Sequence, residues 1–247
     1  MTGCSYLVAL VQTDGKEDEE AMIDYFGTIL GLVQAGQIVT SSNRLYFVNV
    51  EYESAHDLKE LATFFRSNKH VTHLELHTIP IQRGEKFTVK RIHLLVLKQL
   101  LEDARMPVNK IAEQLGITSR RVNRALQEMQ ESNAFWFSVR WNLSLGNNTE
   151  FYLKIHYNEK TSSKEDADAW LRDSYPSEYW FSFYSAMEPV LFAKFVTEHF
   201  RDAGPITRKV KGTSFCDSVD VLLSYPVRKF TRIGTLRIQE MICEAGL

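Results

Sequence analysis

Residues 87–132 read FTVKRIHLLVLKQLLEDARMPVNKIAEQLGITSRRVNRALQEMQES, and three helical patterns follow one another within them. The last begins at Thr118, a residue type suited to capping a helix N-terminus. It repeats apolar side chains at Val122, Ala125, Leu126 and Met129, the spacing of one buried helical face. At about 100° per residue the opposite face carries Arg120, Asn123, Arg124 and Gln127, with Ser119 and Arg121 beside them. Such side chains can reach base edges and phosphates. Before it, Pro107 sets the backbone for a helix start, Val108, Ile111, Ala112 and Leu115 recur at helical spacing, and Gly116 ends the run. The segment from Val89 to Ala104 is apolar on most sides and is expected to be the central helix against which the other two pack. The pattern predicts a helix-turn-helix whose third helix, 118–131, lies in the major groove of double-stranded DNA.

Charge points the same way. Between Lys86 and Leu126 stand nine basic and three acidic residues, a net charge of +6, whereas the whole chain is at −2. The remainder therefore carries −8, and the cationic stretch is an electrostatic footprint for a polyanion. Lys86 and Lys110 are expected to meet phosphates, and Ser119, Arg120, Arg121, Asn123, Arg124 and Gln127 form the remaining predicted DNA-binding set.

The residues Glu102-Asp103-Ala104-Arg105, Ile111-Ala112, Leu115-Gly116-Ile117-Thr118, Val122 and Arg124 resemble the helix-turn-helix of the Lrp/AsnC transcription regulators over about 45 residues. That family's pattern runs acidic-Asp-Gly-Arg, Leu-Ala, Leu-Gly-Leu-Ser, Val, Arg. This chain departs from it with Lys90, Arg91 and His93 where acidic residues are favoured, Thr118 for Ser, and Asn133 where a Gly usually closes the third helix. The resemblance implies a transcription regulator with RAM domains, ferredoxin-like sandwiches that assemble dimers and often sense an amino acid. It leaves room for a small-molecule effector. The family's Gly-x-x-Asp effector hairpin, however, is replaced by Ser41-Ser42-Asn43-Arg44 and Ser185-Ala186-Met187-Glu188.

Outward from the helices, the chain alternates strand and helix patterns. Tyr6 to Val11 reads as a strand and Glu17 to Val33 as a helix closed by Gly36. Ile38 to Thr40 and Leu45 to Tyr52 follow as strands, then Ala55 to Phe65 as a helix and Val71 to Ile79 as a strand. The order βαββαβ is that of a ferredoxin-like sandwich. A weak internal repeat places a second copy after the helices. Its strands are expected at Phe151 to Tyr157, near Tyr179 to Tyr184, near Val190 to Val196 and at Val219 to Tyr225. An acidic helix lies near 163–176, a short helix starts at Ile206, and a terminal helix runs from Phe230 to Cys243. Phe135 to Ser144 alternates Phe135, Phe137, Val139 and Trp141 and reads as a wing or hinge ribbon, its aromatics packing a seam. The fold class is thus α+β, a winged helix-turn-helix (84–145) flanked by two ferredoxin-like, RAM-like α/β sandwiches (1–83 and 146–247, the latter with the terminal helix).

The remaining chemistry is sparse. His73, Glu75 and His77 share one strand face and form a candidate metal-ligand set, although such imidazoles are more often surface or interface residues. No phosphate loop, nucleophile elbow or paired thiol motif occurs, so no catalytic residue and no cofactor is predicted. The opening Met-Thr-Gly-Cys-Ser-Tyr-Leu-Val lacks the basic region of a secretion signal, no apolar stretch spans a bilayer, and Cys4, Cys216 and Cys243 are far apart. These features suggest a cytoplasmic, nucleoid-associated protein. The expected assembly is a homodimer or higher even oligomer on paired half-sites, since the open face of each sheet wants a covering sheet, in this chain or another. The alternative is a haem-biosynthesis decarboxylase, an activity found among some relatives of this family, or a ligand-sensing or scaffold protein without a nucleic-acid role.

Overall fold

The computed structural model describes residues 4–39, 44–80, 87–135, 137, 148–224 and 227–247. It divides into two compact units, one holding residues 5–81 and 140–230, the other residues 1–4, 82–139 and 231–247.

The larger unit begins with β1 (Ser5–Thr13), whose side chains are buried on both faces. Leu7, Ala9 and Val11 enter one apolar cluster, Val8 and Leu10 another. Helix α1 (Glu19–Gly27) starts at Asp18, whose carboxylate accepts the Ala21 N–H at 2.9 Å. Strands β2 (Leu32–Val39) and β3 (Leu45–Tyr52) follow, then α2 (Ala55–Ser67), capped reciprocally by Ser54 and Asp57, and β4 (Val71–Ile79). The expected helix through Val33 stops early, and β2 is longer than the predicted Ile38 to Thr40. Gly31, at φ +87°, turns the chain out of the helix, so Val33 and Gly36 fall within β2. Gly36 is therefore no helix stop. A Cβ there would lie 2.7 Å from Val227 Cγ1, so the strand needs glycine for close approach.

The same plan recurs in β5 (Thr149–Tyr157), α6 (Lys164–Ser174), β6 (Tyr179–Tyr184), β7 (Val190–Thr197), α7 (Ala203–Lys211) and β8 (Cys216–Ser224). Helix α7 starts three residues before the predicted Ile206 because a 3-10 turn, Phe200–Asp202, leads into it. A short β9 (Arg228–Lys229) pairs with β2. The strand order is β4-β1-β3-β2-β8-β5-β7-β6, two antiparallel ferredoxin-like sheets of identical order joined edge to edge through Ile38↔Ser224 and Val39↔Leu223. At the opposite edges the Ala186 N–H donates to the Thr78 carbonyl at 2.8 Å. The helix-free faces close on each other. Val8, Leu10, Ile38, Phe47 and Ile79 from the first sheet form one buried cluster with Tyr152, Val190, Phe192 and Leu222 from the second. Phe47 and Tyr152 stack with centroids 5.2 Å apart. The open face that was expected to want a covering sheet, in this chain or another, is thus covered within this one.

The smaller unit holds α3 (Arg91–Glu102), α4 (Val108–Leu115), α5 (Ser119–Glu131) and α8 (Ile233–Glu244). Val96, Leu97, Met106, Ile111, Ala112, Val122, Ala125 and Met129 form its core. Gly116 ends α4 in the left-handed conformation at φ +63°, and Asn133 does so after α5 at φ +50°, the substitution that Asn tolerates. Helix α8, placed with the second sandwich by the division at 146–247, joins this unit. Ile238 packs on its core, and Arg91 Nη1 donates to the Ala245 carbonyl at 2.8 Å. The boundaries at 83/84 and 145/146, most of the ribbon Phe135 to Ser144, and Ser41, Ser42 and Asn43 of the first hairpin lie outside the described residues. Among the described residues no helix is long and apolar enough to cross a membrane.

Candidate nucleic-acid interface

Helix α5 is fixed from behind and presented in front. Thr118 caps it by accepting the Arg121 N–H, and Val122, Ala125 and Met129 are buried against α3 and α4. Ser119, Arg120, Arg121, Asn123, Arg124 and Gln127 are all exposed, as is Lys110 on α4. Lys86 lies outside the described residues. Hydrogen bonding divides the exposed set. Arg124 Nε donates to Glu128 Oε1 at 3.0 Å, and Gln127 Nε2 donates to Glu131 at 2.6 Å, both one turn along the helix. Arg120, Arg121 and Asn123 have no side-chain hydrogen bond or ion pair with the described residues.

Glu128 gathers more than Arg124. Its Oε2 accepts from Lys90 Nζ at 3.0 Å and meets His93 Nε2 at 3.1 Å. His93 is fully buried, and its Nδ1 accepts the Lys90 N–H at 3.1 Å, which leaves the ring proton on Nε2, facing the carboxylate. Hydrogen bonds from Lys90, Arg124 and His93 hold the Glu128 carboxyl down at about 2. A groove of about 380 Å³ runs over this network, lined by Lys90, Thr118, Arg120, Arg121, Arg124 and Glu128. It is open and mostly cationic, with one ionised carboxylate in its lining, chemistry suited to a phosphate backbone.

Lys90, His93 and Glu128 were absent from the predicted set. The Arg124-Glu128 pair was readable from its i, i+4 spacing. Lys90 and His93 come from another helix and join only when α3 crosses α5.

The other candidate set falls on β4 as expected, with Leu74 and Leu76 toward the helices and His77 buried between the sheets, its ring edge-on to Phe192 at 5.1 Å. His73 remains exposed, 3.8 Å from Glu75. Glu75 pairs with Lys154 of β5 and lies 3.4 Å from His77 Nε2. Those two partners outweigh burial and hold its carboxyl down at about 2. The Lys154 ammonium group thus occupies Glu75 Oε2, the same oxygen that His77 Nε2 faces.

Residues 90–133 match the family model described as winged helix-turn-helix DNA-binding. No curated protein matches the sequence. Solved structures do resemble it. The siroheme decarboxylase NirDL is 12% identical with a TM-score of 0.56, covering 97% of this chain and 79% of that one. Its co-complex with an iron-uroporphyrin III analogue gives 11% identity and a TM-score of 0.55, covering 98% of this chain and 80% of that one. AsnC of E. coli is 14% identical with a TM-score of 0.46, covering 60% of this chain and 99% of that one. At these identities the likeness to NirDL is one of fold. The matched family model, together with a buried helical trio carrying an outward cationic α5, makes residues 90–133 a winged helix-turn-helix DNA-binding domain.

Proposed function

We propose that the chain is a sequence-specific transcription regulator of Lrp/AsnC type that places α5 in the major groove. The observation that carries this reading is the exposed triad Arg120, Arg121 and Asn123, unpartnered among the described residues on a helix whose other face is locked into the core. Arg120 and Arg124 read bases, Asn123 and Gln127 supply amide contacts, and Ser119, Arg121, Lys110 and Lys86 hold the phosphates. One such domain per chain offers few base contacts, so two chains act together on paired half-sites. Because the sandwich faces already cover each other within a chain, the surface joining two chains lies elsewhere. Fluorescence anisotropy on genomic fragments at two salt concentrations tests the reading. Affinity should fall steeply with salt and retain a sequence preference, and salt-independent or absent binding would end it. Light scattering should give at least twice the 28.5 kDa chain mass.

A second reading has specific support, because the fold shared with NirDL extends over nearly the whole chain. In it the protein acts on a tetrapyrrole carboxylate. Titration with an iron-uroporphyrin III analogue separates the two. Saturable perturbation of the porphyrin absorption band, with decarboxylation of sirohaem, would favour the enzyme; an unchanged band favours the regulator.

A further inference from the structure

In the first sandwich the loop after β1 meets the residue before β4. His70 Nδ1 stands 3.0 Å from Asp14 Oδ1. Glu17 enters from the same loop, just before the N-cap of α1, and one ligand atom from each of the three residues lies within 4.8 Å of the others. Glu17 is only 7% exposed. Its Oε1 accepts from Thr13 Oγ1 at 2.7 Å and Tyr46 Oη at 2.9 Å, whereas Oε2 has no hydrogen-bond partner among the described residues. A buried carboxylate oxygen left without a donor costs free energy and marks a place where a partner is wanted.

We propose that Asp14, Glu17 and His70 bind one divalent transition-metal cation, with Glu17 Oε2 as the inner ligand. Two carboxylates and an imidazole suit a borderline ion such as zinc or cobalt better than magnesium or calcium. With bonds of about 2.0–2.2 Å the ligand atoms of a tetrahedral site lie about 3.4 Å apart, so the side chains need close by little more than 1 Å. The neighbouring cations address other oxygens. Lys16 Nζ lies 4.0 Å from Asp14 Oδ2, and Arg44 Nη1 lies 3.8 Å from Glu17 Oε1 while donating to the Glu17 carbonyl.

The second sandwich supplies an internal control. There the Asn158 N–H donates to the Phe215 carbonyl at 2.8 Å, as Asp14 does to His70 at 2.9 Å. Asn158 Oδ1 accepts the Lys160 N–H at 3.0 Å, as Asp14 Oδ1 accepts that of Lys16 at 3.0 Å. The loop therefore closes equally well with Asn158, Thr161 and Phe215 at the three positions, none of which offers a carboxylate or imidazole. Asp14, Glu17 and His70 are not demanded by the turn.

The test uses the full chain stripped with a chelator and titrated with Co²⁺, then Zn²⁺. The expected result is uptake of one equivalent per chain, visible cobalt absorption without the thiolate charge-transfer band that Cys216 or Cys243 would give, and a raised Tm. Asp14→Asn with His70→Phe, which installs the second sandwich's residues, should weaken binding at least about tenfold, since even outer-shell changes cost 10–100-fold. No uptake by the natural chain, a thiolate band, or undiminished binding by this variant would overturn the site. If the double variant melts early without metal, Asp14→Asn alone, a surface change, carries the same test with the same two outcomes.

Discussion

The two units keep their charged groups in opposite places. In the helical unit the cations of α5 stand outside, opposite its buried apolar face, and the Glu128 carboxylate that holds Arg124 and Lys90 lines an open groove. In the sandwich unit a lysine and a histidine, Lys154 and His77, are buried in the seam between two sheets, where they share Glu75. A polar group at a surface is available to a partner and contributes little to stability, whereas one in a seam matters chiefly to the fold. Function and stability should therefore separate by unit when either is mutated.

The largest effect is expected from replacing Arg120, Arg121 and Arg124 together by Ala. DNA affinity should drop by on the order of 10³, at roughly 1–3 kcal/mol per base-reading side chain, with the melting temperature unchanged. Intact binding by the folded triple variant would erase the contrast. Phe192→Ala should do the reverse. It removes a ring packed against Phe47, His77 and Phe183 and should cost about 3–5 kcal/mol in urea unfolding, while any folded fraction binds DNA normally. Lys154→Ala should cost less, about 1–3 kcal/mol, because the Glu75 it strands is partly open to water.

The pH dependence sharpens that last point. Glu75 is held at about 2, below its ordinary 4.5, so it favours the folded state above that ordinary value and ceases to do so as pH falls toward 2. Glu75→Gln should flatten this part of the acid-unfolding profile. The smallest effect is expected from Glu128→Gln. Removing this carboxylate frees Arg124 and Lys90 and takes a negative charge from the groove, so DNA affinity at low salt should rise about threefold to tenfold. Weaker binding would instead make Glu128 a positioning residue for Arg124.

Much of the helical unit was legible because its signals are local. Thr118 acts through its hydroxyl on the first turn of α5, Gly116 and Asn133 act through their own backbone, and the buried and exposed faces of α5 are set by spacing alone. The two strand orders were legible for a similar reason, since β3, β4 and β6 lie at the residues where alternation and turn residues place them. The first helix was misjudged because Ile29, Leu30 and Val33 continue its apolar recurrence across Gly31, and a buried strand repeats apolar residues as readily as a helix does.

The sequence by itself determined the helix-turn-helix, the cationic face of α5 and the duplicated βαββαβ order, all of which depend on residues within a few turns of one another. Only the tertiary structure decided that the duplicated sheets cover each other, that α8 returns to the helical unit, and that Glu128 collects Lys90 and His93. It likewise brought Asp14 and Glu17 to His70, more than fifty residues along the chain. Contacts of that kind are fixed by which edges and faces remain unsatisfied once every element has formed, and that balance is struck over the whole chain at once.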